Sequence, residues 1–407
     1  LTCVHSTLRN NAYRHGLVVE ALAWLPETDS PARARLLGAS ALAEGNADSL
    51  AVRERSSAAA VDMARRLGDP ESLLCTLNAR HMLLWGAVPP SETAEIAREA
   101  VELSERIQDV DMVMHSLLWL AVNYIEQGDP FNLMRVQQRY VSALGRDSGP
   151  FHRHMVIGAA LLEAWMMGDL TSAREHARRM LALGRQVQNQ HAEAYFALQT
   201  LFLDRDQGVP RSLAGSPFEA PPWPTGLPQE YRVLFALEWV ERGYTETARI
   251  LLRQTLHHPD ALHDALRRPA LAVLAQVAIA LGERAAMQQI YDALASDADR
   301  HMVLQACVYL GPVDHCLGLL ASELGDLQRA NAHFERALAS AMSIARSTEI
   351  RFQYGRLLAR QPERLAEAED YLATAAANAR RIGMSAVRAH AEAVLSDLSA
   401  RRSPNAG

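Results

Sequence analysis

The sequence predicts an all-α fold made of repeated helix–turn–helix units, and three observations carry that reading. Val, Ile, Thr and aromatic residues do not alternate with polar ones over more than a few positions, so strand signals are nearly absent. Ala, Leu, Arg and Glu dominate, with apolar residues recurring at three and four, the period of one helical face. Gly-Asp, Gly-Glu or Gly-Tyr then punctuates the chain at regular distances, as helix ends do.

Taken in order, the first helix carries Leu8, Leu17, Val18 and Ala21, and SPARARLLGASALAEG, ESLLCTLNARHMLLWG and SETAEIAREAVELSERI follow as amphipathic helices. From Gly128 the units keep step. Gly128, Gly168, Gly208, Gly243, Gly282 and Gly325 are separated by 40, 40, 35, 39 and 43 residues. The clearest unit, LGLLASELGDLQRANAHFERALASA from Leu317, reads as a helix, a tight turn and a second helix. Small Gly318 and Ala330 allow close backbone approach, Gly325 takes the positive φ at the helix end, and Phe334 fills the gap between units. GAALLEAWMMGDLTSAREHARRML and LFALEWVERGYTETARILLRQTL repeat the pattern, and RLAEAEDYLATAAANARRIGM and SAVRAHAEAVLSDLSARR close the chain as helices, the last resembling a polar cap. One segment departs. VPRSLAGSPFEAPPWPTGLP holds Pro210, Pro217, Pro221, Pro222, Pro224 and Pro228, which forbid a continuous helix. Residues 208–228 are therefore expected as a loop, either a bridge or a lid, hinge or docking element.

The unit resembles the tetratricopeptide signature, and that resemblance implies a right-handed α-solenoid of helix pairs. A period near 40 exceeds the usual ~34, so longer helices or linkers are expected. The length of 407 residues would fit two to four ordinary domains, but a repeat array escapes that rule, and residues 1–407 read as a single solenoid.

Composition narrows the function. Hydrophobic residues at 49% and charged residues at 22% suit a folded core. A net charge of −6 without a basic block argues against a nucleic-acid partner. All 41 basic residues are arginine, which removes Schiff-base, P-loop and general-base lysines. No apolar run suits a membrane span and the first residues show no signal pattern, so the expected location is cytoplasmic, with no membrane partner. Cys3, Cys75, Cys307 and Cys316 form no CxxC pair; Cys75, Cys307 and Cys316 are expected as small core residues. His257, His258, Asp260, His263 and Asp264 crowd one junction, but their spacing lacks a ligand frame, so neither a metal nor another cofactor is expected. No GxSxG elbow accompanies the serines.

ARHMLLWG from Ala79, HCLGLLASELGDLQRANAHFERALASA from His315 and RFQYGRLLARQPERLAEAEDYLATAAANARRIGM from Arg351 resemble a particular setting. It is the C-terminal helical region of large bacterial ATPase-coupled proteins, the LuxR-type transcription regulators and related nucleotide cyclases common in actinobacteria. The phosphate loop and helix-turn-helix of those proteins are not matched here. The resemblance implies a sensor or docking solenoid, cut from a larger protein or standing alone.

The tetratricopeptide resemblance also implies which residues line a concave groove on the first helix of each pair. Counting from the small residue gives Leu118, Val122 and Glu126; Leu162, Trp165 and Met166; Val233, Leu237 and Glu241; Gln276; then His315, Leu319 and Glu323. This surface is apolar with acidic edges and lacks the basic ring that holds a carboxylate tail. It suits a peptide, a protein domain or an apolar small molecule. At helical spacing, core packing is the plainer reading of Trp165, Trp239 and Met166. Two functions stay open: a non-catalytic binding module, or an enzyme or carrier with an enclosed groove and a Glu or His as acid or base. The less polar first helix is the expected contact if a terminal repeat forms a homodimer.

Overall fold

The structure is a computed structural model, and it describes residues 11–44, 49–143, 149–187, 189, 192–209, 229–258, 262–304 and 308–402. The expected Pro-rich loop from residue 210 onward, Cys3, Cys307, Leu8 and Asp260 lie outside the described residues. Among those described, the chain is an all-α helical repeat, with one small exception.

Packing divides the chain into two compact units, Leu1–Arg146 with Leu262–Arg267, and Asp147–Ala261 with Arg268–Gly407. The first holds α1 (Asn11–Trp24), α2 (Pro31–Glu44), α3 (Leu50–Leu67), α4 (Pro70–Leu84), α5 (Pro90–Arg106), α6 (Val110–Glu126) and α7 (Pro130–Ser142). Each helix packs on the next, and Val61, Leu74, Leu77, Ala100 and Leu103 form one core cluster across three successive helices. Arg53 reaches Asp264 at 2.7 Å within this unit.

The second unit holds α8 (Pro150–Met166), α9 (Leu170–Gln186), α10 (Ala192–Gln207), α11 (Gln229–Leu234), α12 (Ala236–Glu241), α13 (Thr245–His257), α14 (Asp264–Leu281) from Arg268 onward, and α15 (Arg284–Leu294). It continues with α16 (Val313–Leu324), α17 (Leu327–Ser340), α18 (Ile344–Leu358), α19 (Leu365–Ile382) and α20 (Ser385–Arg402). The helices of α5, α6, α8 and α9 are 17 residues each, which accounts for a period longer than the usual repeat.

The turns explain why the glycines keep step. All six spaced glycines adopt positive φ, between 66° and 88°. In the commonest form the next residue is aspartate, which caps the following helix: Asp129 accepts from the Asn132 amide at 3.0 Å, Asp169 from Ser172 at 3.0 Å, and Asp326 from Arg329 at 3.0 Å. A two-residue Gly-Asp turn thus ends one helix left-handed and starts the next. Gln108 before Asp109 makes the same turn without glycine, at φ 57°.

The exception is a hairpin between α15 and α16. Strand β1 (His301–Leu304) pairs antiparallel with β2 (Val308–Pro312), His301 opposite Pro312 and Val303 opposite Tyr309, with an irregularity between Met302 and Val303. Nearly every residue of both strands is buried, so the alternation that reveals a half-exposed strand is missing from HMVL and VYLGP. Cys75 also departs from expectation: it is exposed, whereas Cys316 is buried.

In the second unit the first helices meet the last. Helix α8 packs on α18 and β2, and α10 on α20 and β2. Gly208 makes the closest of these approaches, because a Cβ there would overlap Ala386. Ser385 Oγ donates to the Gln207 carbonyl at 2.6 Å beside it.

Candidate functional site

The contact of α10 with α20 borders a partly open cavity of about 550 Å3 inside the second unit. Among the described residues its wall comes mainly from the first helix of successive hairpins, α10, α12, α14, α16, α18 and α20, with Met302 and Leu310 of the hairpin between them. The partner helices α9, α13, α15, α17 and α19 contribute nothing to it. Apolar side chains make up much of the surface, including Phe202, Val273, Leu319 and Phe352.

A charged network crosses this apolar wall. Arg205, in the last turn of α10, donates to Gln276 Oε1 at 3.0 Å and pairs with Glu241 at 3.2 Å. Arg346, in the first turn of α18, pairs with Asp206 and with Glu349 at 2.5 Å. Asp206 also accepts from Trp165 Nε1 at 2.7 Å, so this buried carboxylate ties α8, α10 and α18 together. Asp204 is balanced from behind by Arg174 at 2.6 Å.

Burial and charge act against each other here. Burial pulls the Arg205 guanidinium below its ordinary value, while Glu241 and Glu349 hold it up. Burial pushes the Glu349 carboxyl upward, but the nearby guanidiniums, Arg346 foremost, outweigh it and leave Glu349 below the usual range, hence ionised. His315 is held below the usual imidazole range by burial, with the Glu349 charge opposing, so it is neutral at pH 7. Its Nε2 has no hydrogen-bond partner among the described residues. The neighbouring Cys316 thiol is pushed up to about 12 by burial and is no nucleophile at neutral pH.

Of the groove residues expected from the repeat register, Glu241, Gln276, His315 and Leu319 line this cavity. Leu162, Trp165, Met166, Val233 and Leu237 are buried in the same unit but outside its wall. Glu323 is exposed and pairs with Arg360 at 3.7 Å. In the first unit, Leu118 is half-buried, Val122 is buried, and buried Glu126 accepts from Trp85 Nε1 at 3.2 Å. Two arginines, Arg205 and Arg346, also line the cavity, at positions outside the counted register.

Five charged wall residues, Asp204, Arg205, Asp206, Arg346 and Glu349, are not among those the repeat register points to. A signal for one of them existed. Glu126, Glu241 and Glu323 each stand two residues before a turn glycine, and Asp206 holds the same place before Gly208. The prolines that follow Gly208 break the repeat pattern of that unit. Nothing in the sequence marks Arg346 or Glu349.

No family model and no curated protein matches the chain. Among solved structures it is similar to the crystal structure of Ton1535 from Thermococcus onnurineus NA1, at 15% identity and a TM-score of 0.33, over 97% of this chain and 99% of that one. It is also similar to a circular tandem repeat protein with novel repeat topology and enhanced subunit contact surfaces, at 17% identity and a TM-score of 0.15, over 96% and 89% of the two chains. Likeness at this level carries no functional reading, and the chemistry of the cavity rests on its own side chains. No described helix is long and apolar enough to cross a membrane.

Proposed function

We propose that the second unit is a non-catalytic ligand-binding module that holds a small effector in its interior cavity. In this reading the chain is a sensor or regulatory scaffold of the kind the ATPase-coupled resemblance implies. The carrying observation is a partly open pocket of about 550 Å3 in which apolar side chains surround a convergent set of polar and charged groups. Small-molecule sites of roughly 300 to 1,000 Å3 have this make-up. A peptide or a partner domain needs an open groove. The docking of Ser385 and Ala386 on the end of α10 favours the smaller occupant.

The paired charges also favour binding over turnover. Arg205 and Arg346 are held by Gln276, Glu241, Asp206 and Glu349 before any ligand arrives, so the polar floor is preorganised. A thermal-shift screen of a small-molecule library tests this, run in parallel on the native chain and on Leu319→Trp, whose indole fills the cavity. Compounds that raise the melting temperature of the native chain alone are expected. Hits shared by both proteins, or none, reject the reading. Reproducible turnover lost in His315→Gln would put an enzyme in its place.

A further inference from the structure

We infer that the ligand of the second unit's cavity is an uncharged molecule that presents a hydroxyl group on an apolar body. The inference rests on this cavity being the ligand site, and three features of its wall carry it.

The first is that the charges of the wall already have partners. Among the described residues Asp204 is paired with Arg174, Asp206 and Glu349 with Arg346, and Glu241 with Arg205. Burial keeps the His315 ring neutral. A cationic ligand would compete with an arginine already in place, and an anionic one with a carboxylate. Either would also shed its own water on entering, and a pair that is already made does little to offset that loss.

The second is which polar atoms remain. Gln276 Oε1 accepts from Arg205 at 3.0 Å, and Gln353 Oε1 accepts from Arg356 at 2.9 Å. A guanidinium only donates, so each amide turns its oxygen towards the arginine and its NH2 is left over. Arg346 Nε is a further donor without a partner among the described residues. Acceptors remain as well. Asp204 and Glu349 each have one oxygen engaged by a guanidinium, and a carboxylate offers roughly four lone-pair sites.

The third is His315. It lines the cavity, is 7% exposed, and its Nε2 has no hydrogen-bond partner among the described residues. A neutral imidazole carries its proton on either nitrogen, so Nε2 donates in one tautomer and accepts in the other. A hydroxyl meets both kinds of leftover atom through a single oxygen. It accepts from an amide NH2 or from Arg346 Nε, and donates to a carboxylate or to His315. An ether or a ketone only accepts. The body of the ligand then lies against Phe202, Met302, Leu310, Leu319, Phe352 and Val387.

The test is calorimetric titration of the full chain at pH 7.5 with 4-phenylbutan-1-ol, its methyl ether, 4-phenylbutylamine and 4-phenylbutyrate, one scaffold with four polar ends. The alcohol is expected to bind about tenfold tighter than each of the others, and to lose binding in Leu319→Trp. His315→Phe and Gln353→Leu, each checked for retained helicity by circular dichroism, keep an apolar wall and remove one polar partner. Each is expected to weaken the alcohol about fivefold. A loss in either supports the assignment, and an alcohol affinity unchanged in both overturns it. Amine or carboxylate binding as tight as the alcohol, lost in Leu319→Trp, overturns the uncharged ligand while keeping the cavity as the ligand site, and an ether as tight as the alcohol overturns the hydroxyl in the same way. Alcohol binding that survives Leu319→Trp lies outside the cavity and overturns the inference. Failure of all four probes to bind also overturns it, and the library screen decides the cavity reading separately.

Discussion

Trp165 Nε1 donates to Asp206 Oδ2 at 2.7 Å, across a separation of 41 residues, and Trp85 Nε1 reaches Glu126 Oε1 at 3.2 Å across the same separation. Each bond joins the end of one first helix to the end of the next, one repeat along the chain. Asp206 is also the buried partner of Arg346. Removing its charge leaves a guanidinium short of one carboxylate in an enclosed site, whereas removing the indole N–H costs a single charge-assisted bond. Asp206→Asn is therefore expected to lower unfolding free energy by about 3 kcal/mol, and Trp165→Phe by about 1 to 2 kcal/mol. Urea denaturation of both variants checks this. Equal losses would show that the Arg346 pair adds nothing to stability.

Gln108 gives a prediction of opposite sign. It occupies the left-handed position that glycine takes in the equivalent turns, at φ 57°. A side chain there costs roughly 1 to 2 kcal/mol, partly offset by the extra freedom glycine has when unfolded. Gln108→Gly is expected to stabilise the chain by about 0.5 to 1 kcal/mol in urea. A destabilised variant would mean that the glutamine side chain makes a contact worth more than the backbone strain.

These turns were the most legible part of the molecule. A Gly-Asp pair encodes both a left-handed helix end and the cap of the next helix, so local chemistry alone set the register from Gly128 to Gly325. The hairpin at Met302 was not legible, because two almost entirely buried strands carry no alternation. Neither was the division into two units, which depends on which helices meet. The cavity was legible in part. Glu241, Gln276, His315 and Leu319 follow from the phase of the repeat, but Arg346 and Glu349 enter from α18 only because the unit's last helices return to its first. Contacts such as Arg346 with Asp206, far apart in the chain, have no local signal.

Buried histidines set the acid limit of stability. Burial lowers His81 to about 3 and His301 to about 4 from 6.5, and holds His154 and His315 low as well. A histidine with a depressed folded pKa takes up its proton more readily when unfolded. Its stabilising contribution is complete above pH 6.5 and is lost progressively as pH falls towards 4. Each such group contributes up to about 1.4 kcal/mol per pH unit in that window. The lowered carboxyls of Asp69, Asp169 and Glu349 respond at more acidic pH. Urea midpoints measured between pH 7.5 and 4.5 are expected to fall from about pH 6.5 downward, less steeply in His301→Gln. A flat profile to pH 5 would show that these rings are protonated in the folded chain.

Gly208 and Gly243 separate backbone strain from closure of the cavity. Both have positive φ, 66° and 88°, so alanine at either incurs the left-handed penalty of roughly 1 to 2 kcal/mol. Around Gly243 there is open space, whereas a Cβ on Gly208 would overlap Ala386 at the contact of α10 with α20. Overpacking a close contact adds roughly 1 to 3 kcal/mol or forces the two elements apart. Gly208→Ala is therefore expected to cost more stability than Gly243→Ala by about that amount. It is also the change that moves α20, which carries Val387 and His390 of the wall. Ligands found by the thermal-shift screen should lose affinity in Gly208→Ala and keep it in Gly243→Ala. Equal affinities in the two variants, with the stability difference present, would mean that the cavity keeps its shape without the Gly208 contact.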